Sequence, residues 1–152
     1  MNAIAPAIED LSLNLTQEIH VRASLDTTFA TLLEELGPHF VNEEGKPLAL
    51  KLEPRPGGRW YRDLGKDNGH FWGVVQAIKR PTLLEISGPL FMSHPVVNNL
   101  QYRLSEADGG TLISFRHAAF GLIPAEAREG MPEGWTQMLA AVRKQAESAT
   151  TR

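Results

Sequence analysis

The sequence contains no cysteine. Disulfides, thiolate nucleophiles and cysteine-ligated zinc sites are excluded together, and a cytoplasmic setting is the plain expectation. Positive charge is scarce as well: 15 Lys and Arg stand against 18 Asp and Glu, a net charge of −3. Affinity for a phosphate backbone comes mainly from clustered Lys and Arg, so nucleic acid is not an expected partner. The opening MNAIAPAIEDL has no basic residue and no long apolar run. It reads as neither a signal peptide nor a membrane span but as a short, loosely ordered arm over residues 1–10. There is no P-loop, dinucleotide fingerprint, nucleophile elbow or His-Glu-x-x-His run. The histidines (His20, His39, His70, His94 and His117) share no recognisable ligand spacing, so no metal and no cofactor is expected.

What remains is an ordinary globular balance. Apolar residues make up 42% and charged residues 22% of 152 residues, which suits one domain with a sizeable core. Its expected extent is residues 11–148, with 149–152 as a C-terminal tail.

Apolar residues fall on odd positions from Leu11 to Val21, the period of a strand with one buried face. At Asp26 the period changes. Phe29, Leu32, Leu33 and Leu36 have helical spacing, Asp26 can cap the first turn, and Gly37-Pro38 stops it. Short alternating segments joined by Gly-bearing turns follow, among them residues 96–104 and 111–120 about Asp108-Gly109-Gly110. They predict an antiparallel sheet of five or six strands. After Gly130 and Pro132, residues 133–148 place Trp135, Met138, Leu139, Val142 and Ala146 on one helical stripe.

The stretch PRPGGRWYRDLGKDNGHFWG, residues 54–73, gathers two of the three tryptophans among residues that bend the chain. A five-residue loop over Gly65–Gly69 would set Leu64 opposite His70, Arg62 opposite Trp72 and Trp60 opposite Val74. The indoles of Trp60 and Trp72 then lie near each other, and Arg62 can stack on Trp72. Gly73 lets the strand curl. A helix laid over such a curved sheet leaves room beneath it, to be filled by large side chains or by a ligand.

Candidate ligand-binding residues are the apolar walls Trp60, Trp72, Phe91, Met92, Trp135 and Met138, with Asn98, Tyr102 and His117 as polar points. Core packing accounts equally for the tryptophans, and a hydrogen-bonded core role for His117. Asn98→Leu is expected to change ligand selectivity more than stability. The pairs Glu34-Glu35 and Glu43-Glu44, and Glu126 with Glu129, read as solvated charges. In the loop GPLFMSHPVV, 88–97, Phe91 and Met92 would form a lid over the pocket, an adhesive patch for a partner, or packing against the short helix.

The segments EPRPGGRWY at 53–61, GVVQAIKRPTLLEIS at 73–87, GTLISFRHAAFG at 110–121 and EGWTQMLAAV at 133–142 resemble, in order and spacing, the START-like (SRPBCC, Bet v 1-like helix-grip) superfamily. Within it they look like the AHSA-type group related to activators of the heat-shock-protein ATPase. The resemblance implies an α+β helix-grip fold: a strongly curved antiparallel sheet wrapped around a long C-terminal helix, with a short helical segment after the first strand. The superfamily spans lipid and sterol carriers, receptors, aromatic cyclases, hydrolase-like enzymes and co-chaperones. The expected function is binding of a small hydrophobic or aromatic molecule between sheet and helix. The alternative is a co-chaperone-like module with a chaperone or other protein as partner; an enzyme using His94 or His117 as acid–base comes third. Either a monomer or a homodimer is compatible with the sequence.

Overall fold

The computed structural model describes residues 7–42 and 44–150, except the side chain of Thr150. Residues 1–6 of the expected arm, Glu43, and residues 151–152 of the expected tail lie outside the described residues. Residues 8–11 form a single helical turn, α1 (Ile8–Leu11), in which Asp10 accepts the Ala7 N–H at 3.3 Å.

The alternating segment becomes β1 (Ser12–Val21), with Leu13, Leu15, Ile19 and Val21 turned to the core. The first long helix, α2 (Leu25–Leu36), is capped by Ser24 rather than Asp26: the Ser24 hydroxyl accepts the Thr27 N–H at 3.1 Å. Asp26 sits instead in the first turn, where its charge complements the helix dipole. The Gly37 N–H closes the other end on the carbonyls of Leu33 and Glu34.

Six further strands follow: β2 (Lys51–Leu52), β3 (Arg59–Gly65), β4 (Asn68–Lys79), β5 (Leu83–Gly88), β6 (Val96–Ala107) and β7 (Gly110–Gly121). They join β1 in a seven-stranded antiparallel sheet of order β1-β7-β6-β5-β4-β3-β2, where five or six strands were expected. Even residues of β6 (Val96, Asn98, Leu100, Tyr102 and Leu104) are buried. The odd ones face outward, where Val97 pairs with Phe120.

Register in the β3–β4 hairpin differs from expectation. The turn is two residues, Lys66-Asp67, both at positive φ (53° and 60°), and Gly65 pairs with Asn68. That is the geometry of a tight hairpin whose twist matches the strands. Arg62 therefore lies opposite His70, and the stacked guanidinium belongs to Arg59, 4.6 Å from the centre of the Tyr61 ring.

The C-terminal helix, α3 (Ala125–Thr150), begins well before residue 133 and runs through Gly130 and Pro132. Pro132 cannot donate to the preceding turn, a cost that helix packing offsets. Its carbonyl still accepts from Thr136 Oγ1 and, across from β1, from Gln17 Nε2, each at 2.9 Å. Met131, Trp135, Leu139, Val142 and Ala146 are buried along α3, and Phe29, Leu32 and Leu36 along α2.

Candidate functional site

Two features of the 54–97 region shape the site. Trp60 pairs with Gly73 and Tyr61 with Phe71, which leaves Trp72 without a partner on β3. Such a bulge bends the strand and re-aims a side chain. Here it brings the Trp72 ring within 5.1 Å of the Trp60 ring, at 74°. The indoles do lie together, although not by the register expected of them.

The second feature is a close approach of backbone. A Cβ on Gly73 would come 2.9 Å from Ile86 Cγ2 and the Ser87 carbonyl oxygen; one on Gly88 would come 2.5 Å from Gly73 Cα. Only glycine fits at either place. The chain after Gly88 consequently folds back over β4, and the Leu90 N–H donates to the Trp72 carbonyl at 2.7 Å. Leu90 is fully buried at a φ of 56°, a conformation costly for leucine that the surrounding contacts hold. Phe91 is thereby presented to Trp72, ring centres 5.5 Å apart, while Met92 is buried.

Trp72 also meets Phe40 edge to face at 5.4 Å. Above this cluster opens a cleft of about 420 Å3, bounded by the end of α2, the 40–48 segment, Trp72, Phe91 and the first half of α3. From α3 it receives the broad side chains of Met131, Trp135 and Met138, and between them the small residues Ala127, Gly130, Gly134 and Ala141. Helical spacing puts those small residues on one face, and the space follows from them.

Of the expected site residues, Trp72, Phe91, Trp135 and Met138 line this cleft, and Trp60, Met92, Asn98, Tyr102 and His117 do not. Each of the five is at least 95% buried. Trp60 is a structural tie, its indole N–H donating to the Leu36 carbonyl at 2.8 Å. Tyr102 stacks on Phe115 at 4.8 Å, its phenol pushed upward in pKa by burial, and its hydroxyl has no partner among the described residues. Nothing in the structure explains that hydroxyl.

His117 and Asn98 form one relay. The Trp135 indole N–H can only donate, so His117 Nδ1, 3.0 Å away, accepts and the ring proton sits on Nε2. Nε2 donates to Asn98 Oδ1 at 2.8 Å, and Asn98 Nδ2 donates to the carbonyls of Gly88 and Pro89 at 3.2 and 3.3 Å. Burial holds His117 down to about pKa 4, hence neutral. Both ring nitrogens are occupied by the fold, which leaves no free lone pair for proton transfer. His94 is exposed and does not line the cleft. Among the described residues no cluster suited to a metal ion exists, and no helix is long and apolar enough to cross a membrane.

One buried residue of the cleft was read as solvent-facing. Glu34 is solvated, but Glu35 is 8% exposed and lines the cavity. Burial pushes its carboxyl above the ordinary value; His39 partly opposes this and Glu34 adds to it. The signal was present in the spacing: Thr28, Thr31 and Glu35 share one helix face beside Phe29, Leu32 and Leu36, and all three are buried. Phe40 carried no periodic signal.

A curved sheet gripping a long helix, with an aromatic cleft at its mouth, defines a helix-grip protein of the SRPBCC, Bet v 1-like superfamily. The chain belongs to the family described as "Activator of Hsp90 ATPase homolog 1-like protein", whose sequence profile matches residues 26–147. No curated protein matches it by sequence. Solved structures similar in fold include Ara h 8.0201 (14% identity, 90% of this chain and 99% of that one, TM-score 0.65). A Chromobacterium violaceum protein matches with 15% identity over 88% of this chain and 96% of its own, TM-score 0.68. The di-domain ARO/CYC StfQ from the steffimycin biosynthetic pathway matches at 14% identity over 95% of this chain, TM-score 0.65; the chain spans 54% of StfQ.

Proposed function

We propose that the protein binds a small hydrophobic or aromatic molecule in the cleft between α2, Trp72, Phe91 and α3. The observation that carries this reading is a space of about 420 Å3 walled by Phe40, Trp72, Phe91 and Trp135. Ligand pockets of about 300–1,000 Å3 with mostly apolar walls are the usual size and composition for such ligands. The occupied relay of His117 and Asn98 supports binding over catalysis. Native mass spectrometry of freshly purified protein beside a denatured sample tests the proposal. A mass increment on the folded chain that disappears on denaturation, and is much reduced in Met138→Arg, is expected; an unadorned folded chain that also fails to take up any small aromatic would overturn it.

A second reading, a protein-interaction role, draws on the family description and on the outer sheet face, where Val97, Phe120 and Leu122 are 70%, 56% and 62% exposed. In that case the chain stimulates the ATPase of purified Hsp90, Phe120→Asp abolishes the stimulation and Met138→Arg does not. Absence of stimulation by the unaltered chain removes this reading.

A further inference from the structure

Glu35 sits in the last turn of α2, where three influences oppose a negative charge. It is largely buried, it lies beside Glu34, and it stands at the negative end of the helix dipole, with His39 only partly offsetting them. Among the described residues no hydrogen bond or ion pair reaches its carboxylate; the ion pair nearby joins Glu34 to His39 at 4.0 Å. A glutamine or leucine would fill the same volume without these penalties. Glu35 nevertheless lines the cleft, and the other charged residues lining it, Glu44 and Glu126, are acidic too.

The rings around it favour the same sign of guest. Phe40, Trp72 and Phe91 meet edge to face rather than stacked. The negative face of an aromatic ring attracts a cation, most strongly where water is excluded. A carboxylate without a protein partner and several aromatic rings around one cavity therefore have a common complement.

We infer that the ligand of this cleft carries a cationic amine, its ammonium group placed beside Glu35 and its apolar body against Trp72, Phe91 and Met138. The inference rests on the ligand-binding proposal above and narrows it: carboxylate ligands such as free fatty acids are disfavoured. A matched set separates the two. 1-Naphthylmethylamine, 1-naphthalenemethanol and 1-naphthoic acid share a ring system and differ in charge, and each can be titrated calorimetrically at neutral pH.

The amine is expected to bind about tenfold more tightly than the alcohol, as an ammonium paired in a half-desolvated site should. The acid is expected to bind more weakly than both. Glu35→Gln should bring the amine down to the affinity of the alcohol, while Glu34→Gln, outside the cleft, keeps the preference. If the alcohol or the acid binds as tightly as the amine, the cationic ligand is overturned and the apolar cleft stands. Equal loss of preference in Glu34→Gln overturns the assignment to Glu35. If none of the three binds, both proposals fall. The ranking in the unaltered chain is decisive even should Glu35→Gln fail to fold.

Discussion

Trp135 joins two regions built from the same kinds of residue and put to opposite uses. Its indole N–H belongs to the relay through His117 and Asn98 to the carbonyls of Gly88 and Pro89, in which each of those polar groups has a partner. The same side chain helps wall the cleft, where no hydrogen bond or ion pair reaches the Glu35 carboxylate among the described residues. Aromatic rings with a few polar atoms occur in both places, and residue type does not tell them apart. Satisfaction of a polar group taken together with access to the cavity does: the relay's groups are already paired in the fold and add rigidity, whereas Glu35 lines the cleft unpaired and is free to meet something else.

The contrast breaks most readily at Asn98. Asn98→Leu removes one side chain and strands three groups, the Gly88 and Pro89 carbonyls and the His117 Nε2–H. Each stranded group costs about 1–3 kcal/mol, so a total loss of about 4 kcal/mol is expected from urea unfolding. This reverses the expectation from sequence, in which selectivity was to suffer more than stability. Asn98 and His117 lie outside the cleft, which meets the relay only at Trp135, so the affinity of the folded remainder for 1-naphthalenemethanol should stay within a factor of about two. A variant as stable as the parent with altered affinity would mean that Asn98 belongs to the binding region after all.

Much of the architecture was legible because periods of 2 and 3.6 survive in a single sequence: β1, α2, β6 and β7 fall where the alternation or the helical stripe puts them. The misplaced parts share a cause, which is that tertiary packing overrode a local signal. Gly130 and Pro132 read as helix breakers, yet α3 runs through them from Ala125, with Met131 and Trp135 on either side of Pro132 anchored in the core. Gly65 and Gly69 read as the limits of a loop, yet the turn is Lys66-Asp67, two residues that adopt positive φ between them. Strand parity correctly turned Asn98, Tyr102 and His117 inward. Parity says which face a side chain takes but not whether a cavity lies there, so all three were assigned to a pocket they do not line. Glu35 escaped for the converse reason. As a neighbour of Glu34 it resembles a surface charge; as a neighbour of Thr31 one turn earlier, it lies on the buried flank of the apolar stripe.

Acid sharpens the comparison, since the two regions respond to pH with opposite sign. His117 has a folded value lowered from 6.5 to about 4 by burial, so the unfolded chain binds its proton first. The stability it lends is whole above pH 6.5 and is withdrawn as pH falls toward 4, about 3 kcal/mol across that window. His117→Gln should flatten that part of the curve. Glu35 behaves the other way. Burial raises its folded value above 4.5, so its penalty is absent in acid and grows as pH rises through that value. Glu35→Gln should therefore leave stability unchanged near pH 4 and raise it slightly at pH 7, by less than the His117 effect. Urea midpoints at intervals from pH 4 to 7.5 for the parent and both variants measure the two slopes together. A loss of stability at pH 7 in Glu35→Gln would show that the carboxylate already has a partner in the free protein, and the cleft would then be as self-satisfied as the relay.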